Sequence, residues 1–141
     1  MAQSISQQAD AVQREIERRY LKAKQRAAAE ALSQTQQVAN AMRFIAPADE
    51  GELRRSIRAE PLGQLNSKAG AKDFFGAAIR AGDETTIVTN DTGARFQNAR
   101  LQEFGVHGRP GQPFFFPTWR ANKGKVRPAI VRAFRNALRG K

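Results

Sequence analysis

The sequence predicts an α+β protein with a long N-terminal helix, a small antiparallel sheet packed by helices, and an amphipathic C-terminal helix. The first 45 residues contain no Gly or Pro, and apolar or small side chains recur about every 3.6 residues, the period of an α-helix. Short β-favouring segments separated by Gly-containing turns follow, and helical spacing returns in the last 25 residues. We expect a helix over residues 1–45 and an α+β domain over residues 46–141, together one structural domain.

The long helix is predicted from Ser4 to about Arg43, with Ser4 or Ser6 as its cap. Its Ala-rich apolar stripe suits close packing. A helix of about 40 residues is about 60 Å long, which exceeds the diameter of a domain this size. We therefore expect part of it to project and pack on another chain, unless it breaks near residues 34–37.

Shorter elements are predicted between Pro47, which ends the long helix, and the middle of the chain. A short helix, capped by residues 48–50, is expected over residues 51–57. Strands are expected at Phe74–Arg80 and Thr85–Thr89 with a hairpin turn at residues 81–84, and an edge strand at Arg58–Leu62, which contains Pro61. The remaining predictions are a loop over residues 61–72, a turn at residues 90–93 and a helix at Ala94–Phe104.

The stretch Leu101–Trp119 combines a Gly/Pro-rich middle with three adjacent Phe residues. Gly and Pro exclude a regular element between Gly105 and Pro113, whereas the aromatic run requires burial. The stretch is interpreted either as a surface loop anchored in the core or as a contact with a neighbouring subunit. The residues predicted at that subunit interface are Glu103, Phe104, Phe114, Phe115, Phe116 and Trp119. For Glu103, the expected partner is an arginine of this or the next subunit.

The C-terminal segment is predicted to form a helical turn at Pro117–Ala121, an interruption at residues 122–125, and a final helix from Arg127-Pro128 to about Arg139. Its apolar face is expected to hold Ile130, Phe134, Ala137 and Leu138. The opposite face carries Arg132, Arg135 and Arg139 at three- and four-residue spacing.

Charge is concentrated at this end of the chain. The net charge is +11, yet residues 1–116 hold 16 Lys/Arg against 13 Asp/Glu, while residues 117–141 hold eight Lys/Arg and no acid. Such asymmetry indicates contact with nucleic acid or an acidic partner, or a basic tail that aids solubility. Arg132, Arg135 and Arg139 are the residues predicted to contact either DNA or an acidic partner.

No catalytic, cofactor-binding or metal site is predicted. The chain has no Cys, no apolar run long enough for a transmembrane helix, and no secretory signal pattern. The single His107 lies in a Gly-rich loop, and no base is indicated near Ser56. The acids Asp49, Glu50 and Glu52 suit a helix start better than a metal site, and the glycines at 105, 108 and 111 do not stand between a strand and a helix as a dinucleotide fingerprint requires.

Three stretches in order carry a family resemblance. They are EGELRRSI at residues 50–57; IVTN at 87–90 with Ala94–Phe96 and LQEFG at 101–105; and RPGQPFFFP at 109–117, before the terminal helix. Together they resemble the HK97 gp10-like family of tailed bacteriophages, whose members are neck or tail-completion proteins. The resemblance covers about residues 48–139.

The resemblance implies an α+β structural protein that forms a ring at the head–tail junction of the virion, without enzymatic activity. A hexamer is the main expectation and a twelve-subunit ring the alternative. The implied partners are the head–tail connector, tail terminator or tube proteins, and packaged DNA contacted without specificity; no membrane is involved. The competing interpretations are a stand-alone nucleic-acid-binding protein that uses the basic C-terminal helix, and a toxin-like enzyme, which the missing catalytic set disfavours.

Overall fold

The computed structural model describes residues 2–48, 51–64 and 74–141, and within them the fold is α+β as predicted. The helices are α1 (Ile5–Ile45), α2 (Glu52–Ser56), α3 (Asn98–Phe104) and α4 (Phe116–Leu138). The strands are β1 (Arg58–Gln64), β2 (Phe74–Arg80), β3 (Ile87–Thr89) and β4 (Arg95–Gln97), with a 3-10 turn at Glu84–Thr86.

Helix α1 is a single helix of 41 residues. Ser4 is its cap as predicted: the Ser4 hydroxyl accepts a hydrogen bond from the Gln7 N–H, and the Gln7 side chain accepts one from the Ser4 N–H. The break considered near residues 34–37 is wrong. Thr35 is buried there, and its hydroxyl donates to the Ala31 carbonyl at 2.9 Å, so the polar group is satisfied without interrupting the helix.

Helix α4 is also continuous, so the predicted interruption at residues 122–125 and the new start at Pro128 are wrong. Pro117 lies in its first turn and Pro128 inside it. Val126 and Ala129 are buried on either side of the proline position. The apolar face of α4 packs along α1, and this tertiary packing outweighs the local cost of Gly124 and Pro128.

The two long helices run antiparallel. Tyr20 in α1 meets Phe134 near the end of α4, with ring centroids 5.9 Å apart. Val126, nearer the start of α4, shares the core with Val38 and Met42 of α1. Helix α4 therefore covers α1 from about Tyr20 onward, and the preceding turns of α1 extend past the end of α4.

The strands form two separate antiparallel pairs within the described residues. β1 pairs with β2, with Arg58 opposite Arg80, and β3 pairs with β4, with Ile87 opposite Gln97. The predicted β2–β3 hairpin is wrong, because Asp83 caps a 3-10 turn instead, with its carboxylate accepting from the Thr85 N–H. The predicted strand Phe74–Arg80 is confirmed.

The bounds of several other elements can be compared with those predicted. The helix predicted from Ala94 begins at Asn98, because residues 95–97 pair with β3. The turn at residues 90–93 is confirmed, with the Asn90 side chain accepting from the Thr92 and Ala94 N–H groups. Residues 61–64 belong to β1 instead of a loop. The rest of that predicted loop, residues 65–72, and the cap at residues 49–50 lie outside the described residues.

The core lies against the C-terminal half of α1, where residues of α2, α3, α4 and the β1–β2 pair meet. Its fully buried side chains include Met42, Ile57 and Phe114. The C-terminal half of α1 is thus part of the same core as the α+β domain.

Candidate assembly surfaces

Glu103, the last acid of the chain, lies at the junction between α3 and α4. Its carboxylate accepts three backbone hydrogen bonds, from the N–H groups of Phe114 at 2.8 Å, Phe115 at 2.9 Å and Phe116 at 2.9 Å. The residue is only 7% exposed. Because the N-cap residue Phe115 makes no side-chain capping hydrogen bond, Glu103 supplies acceptors for the N–H groups at and just before the start of this helix.

Among the described residues no arginine pairs with Glu103, contrary to the expected partner in its own chain, while its place at a subunit interface stays a prediction. The carboxylate is satisfied by the backbone of its own chain. The sequence did not indicate this contact, because Glu103 lies 11 residues before Phe114. A capping side chain ordinarily lies at the first turn of the helix that it caps.

The loop between α3 and α4 folds back onto the end of α3. Gln112 donates its N–H to the Gln102 carbonyl at 2.6 Å, and Val106 pairs with Arg109 in an isolated bridge. A Cβ atom on Gly105 would lie 2.5 Å from the Gly111 nitrogen, so two glycines are needed for this close approach. The fold-back presents the N–H groups of residues 114–116 to Glu103.

The aromatic residues predicted at the interface divide into two groups. Phe114 is 1% exposed and belongs to the core, and Phe115 and Trp119 pack against it, so these three anchor the subunit itself. In contrast, Phe104 is 66% exposed, and its ring centroid lies 5.9 Å from that of Phe116, also exposed. Phe104 and Phe116 are thus the aromatic pair available to a neighbour, beside an open cavity of about 190 Å³.

The predicted basic face is exposed along α4. Arg132, Arg135 and Arg139 line an open groove of about 550 Å³. The groove also contains Arg127, Pro128, Val131 and Asn136. In the described part of the chain, no ion pair joins these arginines to an acid. Val131 was not among the predicted residues, and its exposure gives the groove an apolar floor among the arginines.

The N-terminal half of α1 carries a second exposed surface, which we call the N-terminal stripe: Ile5, Ala9, Val12 and Ile16. Ile5 is 87% exposed and Ile16 62% exposed. Further along α1 the same face is buried, starting at Ala23, where α4 covers it. The stripe therefore continues the packing face of α1 beyond the point at which its own chain covers it.

Charged residues surround the stripe. Glu15 accepts hydrogen bonds from Arg18 and Arg19, and these two guanidinium groups lower its pKa to about 2. Glu17 accepts only from the neutral Gln13 side chain, and Asp10 is exposed. Residues 2–19 hold three acids and three bases, so this end of α1 is balanced in charge.

Ser56 and His107, the residues considered for chemistry, lie in different parts of the fold. The buried Ser56 hydroxyl donates to the Leu53 carbonyl and accepts from the Gly82 N–H. His107 is exposed in the loop after α3. Among the described residues, no cluster of His, Cys, Asp or Glu side chains could hold a metal ion, and no helix combines the length and hydrophobicity needed to cross a membrane.

Comparison of the chain with protein-family models, with curated proteins and with solved structures gives no match.

Proposed function

We propose that the chain is a structural subunit of the head–tail junction of a tailed phage or phage-like particle. As a neck or tail-completion protein it would form a ring around the DNA channel and join the tail to the head connector. The observation that carries the proposal is α1, a helix of 41 residues whose N-terminal stripe is exposed. An uncovered apolar face on a projecting helix is typical of a subunit that completes its packing in an assembly.

The ordered motifs support the same proposal, and they specify its partners. We expect a homo-oligomer, hexameric or else twelve-fold, between the head–tail connector and the tail terminator or tube proteins. Its location would be the virion, after assembly in the host cytoplasm. The basic face of α4 would meet the packaged DNA or an acidic neighbour.

The test is the state of the purified full chain in solution. Light scattering coupled to size-exclusion chromatography should give six or twelve times the subunit mass of 15.6 kDa, and negative-stain images should show rings. A chain that remains monomeric at every concentration, and that is absent from phage particles, would contradict the proposal.

A stand-alone nucleic-acid-binding protein is the second candidate, and the exposed arginine-lined groove on α4 favours it. Phosphate contacts through Arg132, Arg135 and Arg139 would be sequence-independent and sensitive to salt. Replacing all three by Gln should lower the slope of log affinity against log salt by up to about 3, measured by fluorescence anisotropy on duplex DNA.

The control for this measurement replaces three exposed arginines elsewhere, Arg14, Arg26 and Arg95, by Gln. Equal loss of salt dependence in both variants would indicate attraction by net charge alone. A monomeric wild-type chain that binds DNA through the α4 face would support the second candidate over the first.

A further inference from the structure

We infer that the exposed side of α4 is one continuous phosphate-binding surface for duplex DNA, reaching from Arg120 to Arg139. The inference deepens the proposed function, on which it rests for the position of this surface beside the DNA channel. It extends the DNA contact beyond Arg132, Arg135 and Arg139 to the first half of α4. It also names DNA, and not an acidic protein, as the partner.

The positive charge on α4 begins well before the three predicted arginines. Residues 116–139 hold seven Lys or Arg and no Asp or Glu. All seven side chains are exposed, and within the described residues no ion pair joins them to an acid. We call this surface the long basic face: Arg120, Lys123, Lys125, Arg127, Arg132, Arg135 and Arg139. It is roughly 28 Å long, at a rise of about 1.5 Å per residue.

The long basic face exists because α4 is a single helix. A break at residues 122–125 would have left two short helices free to point in different directions. Instead, Val126, Ala129 and Ala137 are buried along the opposite side of α4, and their packing holds both halves of the face in one direction. The bases of the first half therefore lie on the same outward side as the predicted arginines of the second half.

The composition of the face selects a polyanion over a protein. Between Arg120 and Arg139, Val131 is the one large apolar side chain that is exposed among the described residues, at 37%. Protein interfaces need apolar area at their centre and are depleted in Lys. Surfaces that bind DNA are instead polar and strongly positive. A duplex carries one phosphate charge about every 1.7 Å, so bases all along α4 can find phosphates at the same time.

Short side chains in the first half of the face let a phosphate chain approach the helix. Ala121, Gly124 and Pro128 are exposed and lie three and four residues apart, so they share one side of α4. A Cβ atom at Gly124 would meet no other atom within 4 Å, so the surface is open there. With about 3.6 residues per turn, Lys125 and Arg127 lie on opposite edges of this strip and can hold a phosphate chain between them.

The packing of the two long helices decides which of them faces the DNA. Helix α1 covers the side of α4 opposite to the long basic face, with Tyr20 against Phe134 at one end and Met42 in one core with Val126 at the other. Turning the face toward a duplex therefore puts α1 behind α4, away from the DNA. In the proposed ring, α4 would line the channel and α1 would lie farther from its axis.

The first test measures how the affinity of the full chain for duplex DNA depends on salt, by fluorescence anisotropy. A first-half variant replaces Lys123, Lys125 and Arg127 by Gln, and the second-half variant is the triple Gln replacement described above. Each should lower the slope of log affinity against log salt by up to about 3, and the two combined by up to about 5, because each phosphate contact contributes about 0.9.

The control is the Gln replacement of Arg14, Arg26 and Arg95, which removes the same charge outside α4 and should change the slope much less. Circular dichroism should show that every variant is folded. A first-half variant that loses no more salt dependence than this control would overturn the inference. One that keeps the wild-type slope but no longer forms rings would overturn it in favour of an acidic protein neighbour.

Directed cleavage of DNA tests which helix lies against the duplex. The chain has no Cys, so a single introduced Cys can carry an iron–EDTA group that cuts nearby DNA strands. Ala121→Cys places this group on the long basic face, and the control Ala29→Cys places it at an exposed alanine of α1. We expect the duplex to be cut from position 121 and not from position 29.

Equal cutting from both positions, or cutting from position 29 alone, would overturn the inference. A ring of normal mass that gives no cutting from position 121 would also overturn it, while leaving the proposed function in place. A chain that cuts the duplex from position 121 alone but stays monomeric would support the phosphate-binding surface and count against the proposed ring.

Discussion

At the scale of single residues, Glu103 shows how one side chain can connect two elements. Its buried carboxylate holds the start of α4 against the end of α3 through three N–H groups. A negative charge at this position also interacts favourably with the helix dipole. Because this carboxylate accepts hydrogen bonds from its own chain, we expect its removal to lower the stability of the fold.

We predict that Glu103→Ala lowers the free energy of unfolding by about 2–4 kcal/mol, since three N–H groups lose a charged acceptor. Urea denaturation monitored by circular dichroism on the unassembled subunit would measure it. Glu84→Ala, at an exposed acid, is the control and should change little. A Glu103→Ala chain of wild-type stability would show that water replaces the carboxylate at no cost.

The three adjacent Phe residues should differ in their contribution to stability. Phe114→Ala is expected to cost about 3–5 kcal/mol, because this side chain is fully buried in the core. Phe115→Ala should cost less, since Phe115 is only partly buried, and the exposed Phe116→Ala least. Chemical denaturation of the three variants gives the order, and a larger effect at Phe116 than at Phe114 would contradict it.

At the scale of elements, α1 joins two halves of different character. From Ala23 onward it contributes to the core, whereas the turns before it contact little of their own chain. Helix α4, in contrast, packs along α1, and this packing keeps it continuous across Gly124 and Pro128.

Hydrogen exchange should divide α1 at about Ala23. In the unassembled subunit we expect fast exchange over roughly the first 15–20 residues and slow exchange from the buried half onward. On assembly the first segment should become protected, because the N-terminal stripe is then covered. Uniform protection along α1 in a proven monomer would contradict this prediction.

Gly124 weakens α4 without an evident packing role. A Cβ atom at this position would meet no other atom within 4 Å. Gly124→Ala should therefore raise the free energy of unfolding of the subunit by about 0.5–1 kcal/mol through the better helix propensity of Ala. The thermal midpoint of the monomer measures it, with Ala121→Gly, another exposed position of α4, expected to change stability in the opposite direction.

At the scale of the whole molecule, the buried core and the exposed apolar and basic surfaces lie in different regions. The core lies among α1, α2, α3, α4 and the β1–β2 pair, while the N-terminal stripe, the α4 groove and the exposed Phe104–Phe116 pair lie outside it. Under the proposed function, the core would stabilise each subunit, and these surfaces would be covered only on assembly.

Deletion of residues 2–18 should separate the two properties. We expect the shortened chain to keep the thermal midpoint of the monomer within a few degrees, because no residue removed is buried. It should fail to form the ring, which light scattering would show as monomeric mass. A ring of normal mass formed by the shortened chain would place the assembly contacts elsewhere, and a large loss of stability would show that the segment belongs to the core.

The sequence by itself determined the features that depend on neighbouring residues. The 3.6-residue period and Ser4 place α1, the Asn90 side chain places the turn at residues 90–93, and the β-favouring run gives β2 from Phe74 to Arg80. The exposed arginine face of α4 also followed from spacing alone, because three- and four-residue intervals fix one side of a helix. The role of that face in a phage neck stays a prediction.

Only the tertiary structure decided what depends on residues far apart in the chain. β1 pairs with β2 and β3 with β4, instead of the β2–β3 hairpin expected from the turn residues. Each strand can form hydrogen bonds with several others, so its own residues do not determine its partner. Packing on α1 made α4 continuous across a proline that local rules treat as a start. The fold-back at Gly105 brings Glu103 to N–H groups more than ten residues away, a contact that no pattern of neighbouring residues could indicate.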